Sequence, residues 1–274
     1  MAVIALAGCS GAPGVTTSAL ALLLSWPLEA GRRMILTECD PDGGAVLHGL
    51  LQGTLGDRYG LRNLSVAARK GEFSDAFWRQ LIDLSDDSTQ DSPRDRLLLP
   101  GITDPTQAAS LTEVWRILAQ MFRGIEADSG HDVLIDLGRR GAYGPSGVLA
   151  EQADATFVVV RNTLRCLQAA EGRVRALEER VGDVGVLLIN EGPYPAGEVQ
   201  RVLQVPVIAT LPFAPKEARV LSDGAEQPRH FTRSPLMKAA RTSSTLMVQQ
   251  AAVRRARLDP RGLLASGGEV SRAR

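Results

Sequence analysis

Between residues 8 and 17 the chain reads Gly8-Cys9-Ser10-Gly11-Ala12-Pro13-Gly14-Val15-Thr16-Thr17. A glycine-rich turn ahead of a helix aims backbone N–H groups at one point, where the helix dipole also favours negative charge. Its chemistry is therefore the binding of an anion, phosphate above all. The Thr16 hydroxyl stands where a phosphate-loop Ser or Thr holds Mg²⁺. Two carboxylates fit the same chemistry: Asp40, in Glu38-Cys39-Asp40-Pro41-Asp42-Gly43, and Asp136, which ends Val133-Leu134-Ile135-Asp136. An acid at the C-terminal end of a strand is where open α/β sheets take ligands. Each feature also has a plainer reading. The loop can be a tight turn that holds nothing, Asp40 and Asp42 can shape an Asp-Pro-Asp-Gly turn, and Asp136 can cap the turn after it. Asp40 is read as a site residue and Asp42 as a turn residue.

These positions need strands and helices to hold them, and the hydrophobic pattern supplies both. Ala2 to Ala7, Met34 to Thr37, Arg96 to Leu99, Val133 to Leu137, Thr156 to Val160, Val184 to Ile189 and Val205 to Ala209 are short apolar runs that read as buried strands. Helical patterns separate several of them, at about Thr16 to Glu29, Leu111 to Ile125 and Thr163 to Val181, with another from about Pro235 to Arg257. The alternation predicts an α/β fold: a doubly wound, mainly parallel sheet with helices on both faces. Asp83 to Asp95 is polar, acidic and proline-containing, and reads as a surface loop. Residues 1–253 are expected to form one domain. Residues 254–274, with six arginines against Asp259 and Glu269, are expected to form an Arg-rich flexible tail.

Composition limits the functions to be considered. The 274 residues carry 31 basic and 31 acidic side chains, so no bulk charge attracts nucleic acid or an acidic membrane. The Arg-rich tail is the one local route to DNA or lipid; lacking bulky aromatics, it reads better as a solvated end. The cysteines Cys9, Cys39 and Cys166 lie far apart, without zinc-ligand spacing, and read as small buried residues. His48, His131 and His230 are isolated and build no nucleophilic triad. With no leader pattern and no apolar run near ~20 residues, the expected location is the cytoplasm.

In its loop the chain resembles the ParA/MinD family of deviant Walker ATPases, whose loop reads K-G-G-x-G-K-T-T, here Ser10-Gly11-Ala12-Pro13-Gly14-Val15-Thr16-Thr17. The family's D-x-D-P motif is matched by Glu38-Cys39-Asp40-Pro41, its Walker B aspartate by Asp136, its late strand ending in Asn by Val184 to Asn190, and its base-side loop by Leu211-Pro212. The resemblance covers residues 2 to about 250. It implies a P-loop NTPase fold that takes ATP or ADP with Mg²⁺. Gly11, Ala12, Gly14, Val15, Thr16, Thr17, Asn190 and Pro212 would then line the nucleotide. Thr16 and Asp136 would hold the metal, and Asp40 would position the attacking water.

Both family lysines are replaced, one by Ser10 and the phosphate-reaching one by Val15, and Pro13 offers no N–H. A charge-assisted phosphate contact contributes roughly 1.5–3 kcal/mol, so hydrolysis by the usual route is expected to be weak or absent. Arg139 or Arg140 is the candidate replacement cation, against the plainer reading of surface solvation or a salt bridge. The resemblance therefore implies a pseudo-ATPase that positions or assembles protein partners, with a homodimer and recruitment to membrane or nucleoid as further expectations and the CpaE and TadZ localisation proteins as an analogous subgroup. The alternative is an active ATP-hydrolysing dimerisation switch. Iron–sulfur reductases of the same superfamily need paired cysteines, which the three separated ones do not supply.

Overall fold

Along strand β1 (Val3–Gly8), Val3, Ala5 and Ala7 enter one apolar cluster while Ile4 and Leu6 enter another on the opposite side. That two-residue alternation, apolar on both sides, belongs to a strand covered on both faces. The computed structural model describes residues 2–9, 14–56, 58–85 and 94–258, without the side chains of 126–129 and 258. After β1 come α1 (Val15–Ser25), β2 (Arg33–Glu38), α2 (Leu61–Lys70), α3 (Phe73–Arg79), β3 (Ile82–Asp83) and β4 (Arg96–Leu99). Then follow α4 (Thr112–Ser129), β5 (His131–Asp136), α5 (Val148–Gln152), β6 (Ala155–Arg161), α6 (Leu164–Val181) and β7 (Val184–Asn190). The chain continues through α7 (Ala196–Leu203), β8 (Val207–Pro212), α8 (Pro215–Asp223) and α9 (Pro235–Leu258).

The strands form one eight-stranded sheet in the order β3-β4-β2-β5-β1-β6-β7-β8. All neighbours are parallel except β3, which runs antiparallel to β4 at the edge. One face is covered by α2 to α7, through residues such as Leu64, Phe77, Trp115, Leu149, Val174 and Val199. The other is covered by α1, α8 and α9, through residues such as Leu20, Leu23, Leu221, Met237 and Met247. The doubly wound sheet predicted from the hydrophobic alternation is thus present, and β1 lies at its centre, where the connections diverge to either side.

Several boundaries differ from the sequence reading, each for a local reason. Helix α1 stops at Ser25 because Pro27 holds Trp26 in an extended conformation (φ −58°, ψ 132°). Strand β8 begins after Pro206, which has no N–H to give a ladder, and it includes Leu211 and Pro212 rather than preceding them. Asp83, read as the start of a surface loop, pairs with Leu97, and Ile82 just before it pairs with Leu98; residues 86–93 of that loop lie outside the described residues.

The first residues of the expected tail are helical. Helix α9 runs to Leu258, and Arg254 is buried, donating to the carbonyls of Ala153, Asp154 and Val181. Arg255 pairs with Asp154 at 2.6 Å. Arg254 thus reaches three backbone carbonyls and Arg255 a carboxylate, so residues 254–258 belong to the folded body. Residues 259–274 lie outside the described residues.

Candidate functional site

The parallel register brings Leu6, Glu38 and Asp136 into one row at the C-terminal end of the sheet. Asp136 is 1% exposed. It accepts from the Gly138 N–H at 2.8 Å and from the Thr16 hydroxyl. Burial pushes its carboxyl up to about 7 against those hydrogen bonds, and the nearby Glu38 and Asp40 charges push the same way. Thr16 and Asp136, 120 residues apart in sequence, are therefore in contact, as the resemblance implies for a metal pair.

Glu38 is also buried. Its Oε1 accepts from the N–H groups of Ala45 and Val46 at 2.7 and 3.0 Å, and its Oε2 from Gly101 at 3.1 Å. Burial raises its pKa. Sequence reasoning assigned Glu38 no role; here it binds together the loops after β2 and β4. Asp40 is half-buried, with burial raising its pKa against N–H bonds from Asp42 and Arg139. Gly138, at φ +56°, must be glycine: a Cβ there would lie 1.7 Å from the Asp40 Oδ2. The β5 loop therefore packs directly on Asp40. Asp42 shapes the turn, its N–H donating to the Asp40 Oδ1 at 2.9 Å.

Val15 sits on the other side of the same row. It is 4% exposed, and its Cγ2 would be 2.6 Å from a Cβ added at Gly8, so it fills the space over the end of β1. At the position where the family has a phosphate-reaching lysine, this chain has an apolar side chain packed into its core. Ser10, Gly11, Ala12 and Pro13 lie outside the described residues.

Beyond α1 a cleft of about 390 Å³ opens between Gly14, Thr17, Ile189, Leu211, Pro212 and Phe213. Its size suits a small ligand, and Ile189, Leu211 and Phe213 make its wall apolar, as for an aromatic ring. Gly14, Thr17 and Pro212, three of the residues read as nucleotide-binding, are among its lining. Asn190 does not line it: its exposed side chain lies at the end of β7, where its Oδ1 accepts from the Asn162 Nδ2 at 2.7 Å. Asn162, missed in the sequence, is buried and holds the loop after β7. It donates to the carbonyls of Gly192 and Tyr194 and accepts from the N–H groups of Glu191 and Gly192. An Asn two residues before a helix, Asn162-Thr163-Leu164, was the available signal.

Arg139 and Arg140 are both exposed. Arg140 stands 3.9 Å from the Asp42 carboxylate, the surface salt bridge weighed as its plainer reading, and the Arg139 N–H is given to Asp40. All three cysteines are buried; burial raises the thiol of Cys9 to about 11 and that of Cys39 beyond it. Among the described residues no helix is long and apolar enough to cross a membrane.

A mainly parallel α/β sheet with a Thr–Asp pair at the C-terminal end of its central strands has the architecture of a P-loop nucleoside triphosphatase fold. Solved structures place the chain within the ParA/MinD type of that fold. It resembles the septum site-determining protein MinD complexed with Mg-ADP from Pyrococcus horikoshii OT3, at 17% identity and TM-score 0.64, over 93% of this chain and 99% of that one. It also resembles a chain of the MinC:MinD cell division protein complex from Aquifex aeolicus (15%, TM-score 0.64, 90% and 96%). A ParA family ATPase from Chlorobium tepidum TLS aligns similarly (14%, TM-score 0.63, 89% and 97%). No family model matches the sequence, and no curated protein matches it significantly.

Proposed function

We propose that this chain binds ATP or ADP with Mg²⁺ at the C-terminal end of its sheet and acts through protein partners as a positioning or assembly factor, with little or no hydrolysis. The observation that carries this reading is a contrast within one site. The Thr16 hydroxyl is hydrogen-bonded to the buried Asp136 carboxyl, while Val15 is folded into the core where a phosphate-reaching lysine would stand.

The oxygens of Thr16 and Asp136 are hard donors of the kind Mg²⁺ takes. No group of three His, Cys, Asp or Glu among the described residues is placed to cage an ion. That suits a metal held by one carboxylate, a hydroxyl and the phosphates of its ligand. When bound, Mg²⁺ would screen phosphate charge; Asp136 would give up its proton to admit it. The apolar cleft by Pro212 would take the nucleoside. Leu164 and Phe213, exposed apolar side chains following β6 and β8, offer a docking face at the same end for protein partners, a second copy of this chain included. DNA or membrane contact through the arginines is not favoured, because Arg254 and Arg255 are engaged in the fold.

Calorimetric titration of Mg-ADP and Mg-ATP into the parent and Val15→Lys tests the binding, and a phosphate-release assay tests turnover. Binding by the parent without turnover upholds the proposal. Binding by neither protein leaves a scaffold that takes no nucleotide. The placement of Asp40 against Gly138 favours a second reading, an ATP-hydrolysing dimerisation switch. Turnover abolished by Asp40→Ala would establish that switch and end the pseudo-ATPase reading.

A further inference from the structure

Helix α6 sends Arg173 across to the loop that follows β5. Its Nη1 donates to the Arg139 carbonyl at 3.0 Å, and its guanidinium carbon lies 5.3 Å from the centre of the Tyr143 ring. Both contacts hold the guanidinium in place, and neither cancels its charge. Among the described residues no carboxylate pairs with it. With Tyr143, Pro41, Asp42, Arg140 and Gly144 it lines a cleft of about 530 Å³ beside Asp40.

The one acid in this lining, Asp42, faces Arg140 at 3.9 Å across a side chain that is 72% exposed. A pair so exposed is weak and readily exchanged for a better partner. Arg139 is less suited, because its N–H and its charge are both turned to Asp40. Arg173 also acts on the thiol of Cys9, the last described residue before the glycine loop. Its charge is therefore felt at the start of that loop, next in sequence to Ser10, where the family resemblance puts one of the two lost lysines.

We propose that Arg173, with Arg140 beside it, forms an anion seat for the terminal phosphate of a nucleoside triphosphate, so that the chain distinguishes triphosphate from diphosphate without a loop lysine. This rests on the nucleotide reading above. Arginine suits the task because its planar fork meets phosphate oxygens with two parallel bonds. Arg173 is preset by Tyr143 and Arg139, so little side-chain freedom is lost on binding.

The test is equilibrium binding of Mg-ADP and of a non-hydrolysable Mg-ATP analogue to the parent, Arg173→Gln, Arg173→Lys and Arg140→Gln. Glutamine retains a donor for the Arg139 carbonyl and removes the charge. The parent should favour the triphosphate about tenfold or more, the size of one charge-assisted contact. Arg173→Gln should keep its ADP affinity within about twofold and lose the preference, while Arg173→Lys keeps part of it and Arg140→Gln loses less. Unchanged ADP affinity shows that the variant is folded. If ADP binds but Arg173→Gln keeps the preference, or the parent has none, the seat is refuted and the nucleotide reading stands. If the parent binds no ADP, that reading falls and the seat with it.

Discussion

Strand β5 carries a buried aspartate near each end, and the two are built differently. Asp132, at the start, accepts from the Ala2 N–H at 2.8 Å, the Trp26 Nε1 at 3.0 Å and the Arg32 guanidinium at 2.8 Å. Asp136, at the end, has the Gly138 N–H and the Thr16 hydroxyl, faces two further carboxylates, and has a pKa raised to about 7. A carboxylate that serves the fold arrives with its cation. Among the described residues Asp136 has no such cation and keeps its proton to higher pH, and on the reading proposed above it is the acid that would meet a metal ion.

Removing the structural member should have the largest effect. Asp132→Ala leaves the mostly buried Arg32 and the Trp26 and Ala2 N–H groups without their acceptor, and should cost about 3–5 kcal/mol in urea unfolding. Next comes the glycine that keeps the other end assembled. Gly138→Ala drives a methyl into Asp40 at a positive φ and should cost about 2–4 kcal/mol, with loss of Mg-ADP binding. If nucleotide bound that variant as tightly as the parent, the Asp40–Gly138 contact would be irrelevant to the site.

The third prediction has the opposite sign. The Asp136 pKa is raised in the fold, so between about pH 4 and pH 7 the folded state holds a proton that the unfolded state has released. Its contribution therefore falls as pH rises through that window and is flat above about 7. Asp136→Asn should stabilise the ligand-free chain by about 1–3 kcal/mol at pH 8, and the gain should shrink to nothing near pH 4. A loss of stability at pH 8, as expected for Asp132→Asn, would collapse the distinction between the two ends. The smallest effect is expected at Arg140→Ala, whose exposed pair with Asp42 should change the unfolding free energy by less than ~0.5 kcal/mol in urea titration.

Much of this was legible in the sequence because it is local. The β-branched and leucine runs gave the strands, and Thr16 and the strand-end Asp136, singled out in the sequence, are in contact in the fold. What stayed hidden depends on distant pairing. Arg173 lies mid-helix in no motif, and only the packing of α6 against the β5 loop brings it to the cleft. The pattern of α2, with Leu61, Leu64 and Ala67 buried, is short and was passed over. Arg254 looked like part of a solvated run because its carbonyl partners are about 70 to 100 residues away. That Val15 turns inward follows from glycine at position 8, which no spacing rule reads.

Helix α1 is buried along Ser18 to Leu23, lying between the sheet and α9. On the ribosome its apolar surface emerges about 210 residues before its cover, counting from Ser25 to Pro235. At ~5–20 residues per second that is roughly 10–40 s during which the α9-facing side of the helix lacks its cover. Among the described residues, the last helix to be translated completes the shelter of the first.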